Sequence, residues 1–254
     1  MRFDTYIPNN ILKPYIHIFA VSEAEEEKTY KVLPDTGLVI GFQFKGNLTL
    51  LHNKEQIKLS ASGITGLHDT FRIFKNTAHT GTVLVYFKEG GASAFFRQPV
   101  HELFRESVSL DNFVSRSELS SLEEQLCDAK TDSERIQIIE RFLISRMSSD
   151  KNDTLVLAAL TLIHASKGNI RIYELMKHLY TSQSPLEKRF RQLVGTSPKK
   201  FSSIVRFKHT VNSYDPQASL TDLSYQAGYY DQAHFIKEFK KFTGDTPHSF
   251  FTNK

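Results

Sequence analysis

Cysteine occurs once in the 254 residues, at Cys127, so no intramolecular disulfide can form and a thiolate metal cluster is excluded. No apolar run approaches the length that spans a membrane. The first twenty residues mix Asp4, Asn9, Asn10, Lys13 and two prolines into their apolar content. That is not a signal-peptide core, and the expected location is the cytoplasm. Metal-ligand spacing is missing too: His52, His68, His79 and His101 are scattered without a His-x-His pair, and no metal site is expected. Gly90-Gly91, after an apolar stretch, lacks the Gly-Lys-Ser/Thr ending of a phosphate loop. No nucleophile–base set, paired carboxylate or cofactor loop stands out. The chain therefore reads as a non-enzyme with no expected cofactor and no assigned catalytic residue.

The charge that is present is unevenly placed. The net value of +4 conceals a change of sign near Asp153. Residues 1–153 carry 18 Lys and Arg against 21 Asp and Glu, for −3; residues 154–254 carry 14 against 7, for +7. A basic half attracts a polyanion by counterion release whatever its sequence preference, although a solvated lysine surface gives the same count.

The first ~110 residues read as β. In Leu38-Val39-Ile40-Gly41-Phe42-Gln43-Phe44 the even positions are large and apolar, the period of a half-buried strand. Lys45-Gly46-Asn47 supplies a turn, and Leu48 and Leu50 resume the alternation. Thr82 to Phe87 is apolar on both faces, as in a central strand, while the acidic run Glu23 to Glu27 reads as a solvated loop. Short strands punctuated by Gly, Asn and Asp suggest an antiparallel barrel or sandwich. Its aromatics, including Phe42, Phe44, Phe71, Phe74 and Phe87, either line an apolar ligand pocket or fill the interior.

The chain then turns helical. Leu119, Leu122 and Leu126 repeat at helical spacing, as do Ile138, Ile139 and Phe142 after the cap-like Thr131-Asp132-Ser133-Glu134. These helices, over about 117–147, either form a dimer surface or pack on the barrel. Ser148 to Asp153 is polar and free of large apolar residues, the clearest linker, and it divides domains at 1–150 and 151–254.

Two similar units follow. In the later one, Thr221 to Gly228 begins as a capped helix and stops at glycine; Asp231 caps a second helix with Phe235, Phe239 and Phe242 as its buried stripe, and Gly244 and Pro247 end it. The outward residues of that second helix are Gln232, Ala233, Ile236, Lys237 and Lys240. Gln suits bidentate bonding to adenine, Lys suits guanine or phosphate, and small apolar groups suit the thymine methyl. In the earlier unit Ile172, Leu175, Met176 and Leu179 mark the first helix and Thr181 to Ser184 the turn. Leu186, Phe190 and Leu193 form the second helix's stripe, and Gln183, Ser184, Glu187, Lys188 and Arg191 its outward face. Gly195 and Pro198 close it as Gly244 and Pro247 close the other. Helix, tight turn and apolar-anchored second helix is the layout of a helix-turn-helix, here repeated.

The stretch Ala227 to Phe235 followed by Phe239 to Pro247 resembles the signature of the AraC/XylS family of regulators, and Leu186-Glu187-Lys188-Arg189-Phe190 with Gly195 to Pro198 resembles that family's first unit. The resemblance covers about residues 154–251. It implies a helix like Ser202 to Ser213 joining the units, recognition helices in successive major grooves, and base-reading positions at Ser184, Glu187, Lys188, Gln232, Ala233, Ile236 and Lys237. The first turn departs from the pattern, with Tyr180 or Thr181 in place of the usual glycine. More loosely, Leu33 to Gly37 and Gly90 to Pro99 resemble sensor domains of such regulators. The fold class expected is α+β: an N-terminal antiparallel β-barrel (cupin-like) with following helices, then an all-α domain of two helix-turn-helix units joined by a linker helix. The expected partner is promoter duplex DNA, with a small-molecule effector, RNA polymerase and a second copy of the chain as further candidates and no membrane. A regulator without an effector, and a ligand-binding or enzymatic barrel with a helical interaction module, stay open as alternatives.

Overall fold

A computed structural model describes residues 1–52, 55–96, 98–148, 153–215 and 219–252. Arg97, and Ser149, Asp150, Lys151 and Asn152 of the expected linker, lie outside them.

The N-terminal half holds two antiparallel sheets. The larger runs β1 (Arg2–Tyr6), β2 (Ile16–Ala24), β9 (Thr80–Phe87), β4 (Val39–Lys45), β7 (Ser62–Thr65) and β10 (Ser107–Ser109) in that spatial order. The smaller runs β3 (Lys28–Val32), β8 (Arg72–Asn76), β5 (Leu48–His52) and β6 (Glu55–Lys58). The class is α+β. Ladder bonds join strands within each sheet and none between the sheets among the described residues, so the unit is a pair of facing sheets without shown barrel closure.

Alternation sorts the larger sheet's two faces. Ile40 and Phe42 of β4 and Val83, Val85 and Phe87 of β9 enter the main core, while their neighbours Val39, Gly41, Gln43, Thr82, Leu84 and Tyr86 turn toward the smaller sheet. Strand β9 lies between β2 and β4, which is why it can be apolar on both faces. The acidic run is loop only in part: Glu23 and Ala24 belong to β2, and Glu23 pairs with Arg2 on β1 at 2.9 Å.

Helices α1 (Arg116–Asp128) and α2 (Asp132–Ser145) cover the core face of the larger sheet. Thr131 and Glu134 form the capping box that starts α2. Leu119, Leu122, Leu126, Ile136, Ile139 and Phe142 are buried there, with Phe142 edge-on to Phe42 at 6.3 Å. Of the two roles open for these rows, packing on the sheet is the one the structure shows.

Seven helices complete the described chain: α3 (Thr154–Ala165), α4 (Ile172–His178), α5 (Gln183–Val194), α6 (Pro198–Asn212), α7 (Leu220–Gln226), α8 (Gln232–Thr243) and α9 (Pro247–Thr252). The linker helix α6 starts four residues before the expected Ser202, because Ser197 caps it and Pro198 fits its first turn. Pro247 likewise opens the short α9. The cap of α7 is Ser219, which accepts from the Asp222 amide at 3.0 Å, two residues before Thr221.

Packing does not divide where the charge does. One continuous core runs from Leu12 through α3, α4 and α5 to Val205, so the first helix-turn-helix unit is built into the N-terminal half. A second core, made by Ile204 and Phe207 of α6 with Leu223, Ala227, Tyr229, Phe235, Phe239 and Phe242, belongs to the later unit, with Leu33 of the N-terminal half packed against its edge.

Candidate nucleic-acid interface

Each unit presents its second helix on a short turn. In the later unit Gly228 takes a left-handed φ of 73°, and a Cβ there would meet the Asn169 side-chain oxygen at 2.3 Å. Asp231 then caps α8 by accepting from the His234 amide at 2.7 Å. In the earlier unit Tyr180, and not Thr181, holds the left-handed position, with φ 49°. Ser182 is the cap residue of α5, so Gln183 and Ser184 belong to the first helical turn and not to the connecting turn.

The stripe of α8 is buried as the spacing requires, with Phe235, Phe239 and Phe242. In α5 Leu186 and Phe190 are buried with Val194, while Leu193, expected as the third member, is half-buried beside Gly90. Arg189 bonds Asp153 through two nitrogens at 2.6 Å and ties α5 to the start of α3. Arg206 of α6 bonds Glu238 of α8 at 2.7 Å and lies 4.2 Å from the Tyr229 ring centre, which fixes α8 against the linker helix. Burial, ahead of the nearby Glu238, pushes the Tyr229 hydroxyl well above its ordinary range.

The opposite faces are open. On α8, Gln232, Ala233, Lys237 and Lys240 are exposed, and neither lysine makes an ion pair among the described residues. Ile236 is half-buried and packs against the unit's own core. On α5, Gln183, Ser184, Lys188 and Arg191 are exposed. Glu187 accepts from Gln183 at 2.8 Å and lies 3.6 Å from Arg191, which knits three outward residues into one row. Two tyrosines outside the expected contact residues stand beside these faces: Tyr180 is 98% exposed and Tyr230 92% exposed, one in each turn. A large aromatic at a turn position is the signal that marks them.

Charge on α8 is divided. Lys240 faces outward, while its neighbour Lys241 reaches back to Asp69 of the N-terminal half at 2.7 Å. Burial alone would raise the Asp69 carboxyl, but bonds from Arg105 and Lys241 more than offset it and hold the group below the usual carboxylate range.

The two N-terminal sheets enclose a cavity of about 510 Å³. Of the five phenylalanines expected as pocket or filling, Phe74 alone lines it; Phe42 and Phe87 point to the core face and Phe71 to α8. His68, Arg72, Tyr30 and Tyr86 are in its wall, and His101, His52 and His79 are not.

Two helix-turn-helix units thus stand on one linker helix, each with an open second helix. Residues 175–253 match the family described as Helix-turn-helix domain. Residues 4–109 match the family described as Domain of unknown function (DUF6597). The Msm operon regulatory protein of Streptococcus mutans is 28% identical over 153 residues, which cover 59% of this chain and 55% of that protein. The chain thus spans about half the length of the curated relative it matches. Among solved structures, wild-type ToxT from Vibrio cholerae with an unsaturated fatty acid bound is 12% identical over 96% of each chain, with a TM-score of 0.49. The AraC-like transcriptional activator CuxR is 10% identical over 87% of this chain and 89% of its own, with a TM-score of 0.30.

Proposed function

We propose that this chain regulates transcription by binding promoter DNA through α5 and α8, under control of a small molecule held between the N-terminal sheets. Residues 1–150 form the sensing part and residues 151–254 the DNA-binding part. The observation that carries the reading is the pair of open recognition helices on one scaffold, within the half that carries +7. One chain can then read an asymmetric site whose halves lie about one turn of DNA, ~34 Å, apart. The DNA-facing residues are Gln183, Ser184, Glu187, Lys188 and Arg191 on α5 and Gln232, Ala233, Ile236, Lys237 and Lys240 on α8. The action is exerted on RNA polymerase in the cytoplasm, and the same titrations report whether one copy or two occupy the site.

The full chain is the right material, because the first unit shares its core with the N-terminal half. Selection from a random duplex pool should return one consensus with two separated blocks. The logarithm of affinity should fall linearly with the logarithm of salt concentration. Binding that ignores salt, or a pool that never converges, overturns the reading. Lys237→Ala separates two roles: a phosphate contact costs affinity evenly across sequences and lowers the salt slope by about 1, whereas a base contact costs about 1–3 kcal/mol at one position and relaxes its identity.

A further inference from the structure

Segment Leu67 to Arg72, between β7 and β8, has two audiences. His68, Thr70 and Arg72 line the cavity, while the intervening Asp69 and Phe71 meet the later helix-turn-helix unit. The alternation is that of an extended chain, whose successive side chains point to opposite sides.

On the cavity side the carboxylate in the wall, Asp35, is taken by Lys208. Arg72 donates to the Ser107 hydroxyl and to the Arg105 carbonyl, each at 2.5 Å, and makes no ion pair among the described residues. A guanidinium has five N–H donors, so most of its capacity is unspent. A partly desolvated cation with no carboxylate in direct contact is costly: burial, opposed only in part by the charge of nearby Glu106, lowers its affinity for a proton to a pKa of about 10. Beside it the His68 Nε2 is buried without a hydrogen-bond partner. Burial, ahead of the neighbouring Arg72, brings this imidazole down to about 3, so it is neutral and can donate. The remaining wall is largely apolar, with Val39, Leu48, Phe74 and Leu84 and the rings of Tyr30 and Tyr86. A volume of about 510 Å³ is in the range of small-molecule sites.

The outer side is a clamp. Asp69, only 2% exposed, takes Arg105 at 2.6 and 2.8 Å and Lys241 of α8 at 2.7 Å. Phe71 lies against Gly244, the left-handed residue that ends α8. Lys31 of β3 bonds the Thr243 carbonyl at 2.7 Å and Asp245 at 2.5 Å above the same ring. Arg105 joins the two sides, since its carbonyl receives Arg72 and its guanidinium grips Asp69.

We propose that the space between the sheets is a binding site for a small organic anion, a carboxylate on an apolar body, held by Arg72 and His68. In the same proposal the 67–72 segment carries its occupancy to α8. A carboxylate offers the planar two-oxygen partner that a guanidinium prefers. In taking Arg72 it competes with the Arg105 carbonyl, which disturbs the hold of Arg105 on Asp69 and of Asp69 on Lys241. The later unit has a core of its own, so this clamp is a main determinant of its orientation. The coupling half of the proposal rests on the DNA-binding reading above; the ligand half does not.

The test uses the full chain and a series of arylalkanoates from benzoate to 4-phenylbutyrate, each compared with its uncharged amide and with inorganic phosphate. At least one acid should give saturable heat in calorimetry and raise the Tm, while its amide and phosphate do neither. Arg72→Gln should abolish that binding and Arg72→Lys retain part of it. Acids no better than their amides, or phosphate as good as the acids, overturn the site; this comparison holds even if a variant fails to fold. On selected duplex the best acid should shift the DNA Kd about fivefold or more, a coupling that must be reciprocal. Asp69→Asn should still bind the acid and lose the shift; a shift that persists overturns the strap. Failure of duplex binding without any acid present would instead count against the DNA-binding reading.

Discussion

Tyr180 does with a side chain what Gly228 does without one. A left-handed φ costs a non-glycine residue roughly 1–2 kcal/mol, and the exposed ring of Tyr180 regains none of it by burial. Tyr180→Gly should therefore stabilise the chain by about 0.5–1 kcal/mol after the added freedom of the unfolded backbone is counted, as read by denaturant titration. A destabilised variant would show that this residue is not left-handed. The exposed ring also supplies a hydroxyl of the type that bonds DNA phosphate, so the same variant should weaken duplex binding while stability rises. At this scale the sequence was informative about Asp231 and the phenylalanine stripe. It was silent about Lys240 and Lys241, adjacent and alike, of which one faces outward and one holds Asp69.

The two units differ as elements in a way that the spacing of their ends conceals. Gly195 and Gly244 are 49 residues apart, as are the caps Ser182 and Asp231, yet the left-handed residues Tyr180 and Gly228 are 48 apart. The extra residue in the later turn is accommodated by burying Tyr229 between Arg206 and Phe235. Since that unit has a separate core, Phe239→Ala should act locally. The change removes a ring in contact with Phe207, Phe235, Phe250 and Phe251 and should cost about 3–5 kcal/mol. Hydrogen exchange should then be faster through α7 and α8 and unchanged in β9. Uniform acceleration would mean that the two cores melt as one.

At the level of the whole molecule, carboxylates hold the halves together. Asp69 grips α8, and Glu89, after β9, meets His164 of α3 at 3.3 Å. Burial works against ionised Glu89, but bonds from His164, Thr36 and its own backbone bring it down to about 2. Both groups have folded pKa values below their unfolded ones. Their contribution is therefore complete above about pH 4–5 and is lost as pH falls through the unfolded values toward about 2. The Tm should drop across that interval, and Asp69→Asn with Glu89→Gln should flatten the acid limb while lowering the Tm at neutral pH. A limb of unchanged slope would remove these two groups from the account.

Local chemistry determined much of this protein by itself. Caps, glycine stops and apolar stripes fix the helices of both units, since each depends on neighbours within a few residues along the chain. Period-two alternation likewise marked β4 as a strand buried on one face and β9 as apolar on both. Tertiary structure decided the rest. The sides taken by the phenylalanines of the sheets, the burial of α1 and α2 on β4, and the joining of the first unit to the N-terminal core depend on contacts among residues far apart in sequence. So does the division of the 67–72 segment between a cavity and helix α8. Its residues have no distinctive spacing of their own, and only the fold places Arg72 among apolar walls and Asp69 beneath Lys241.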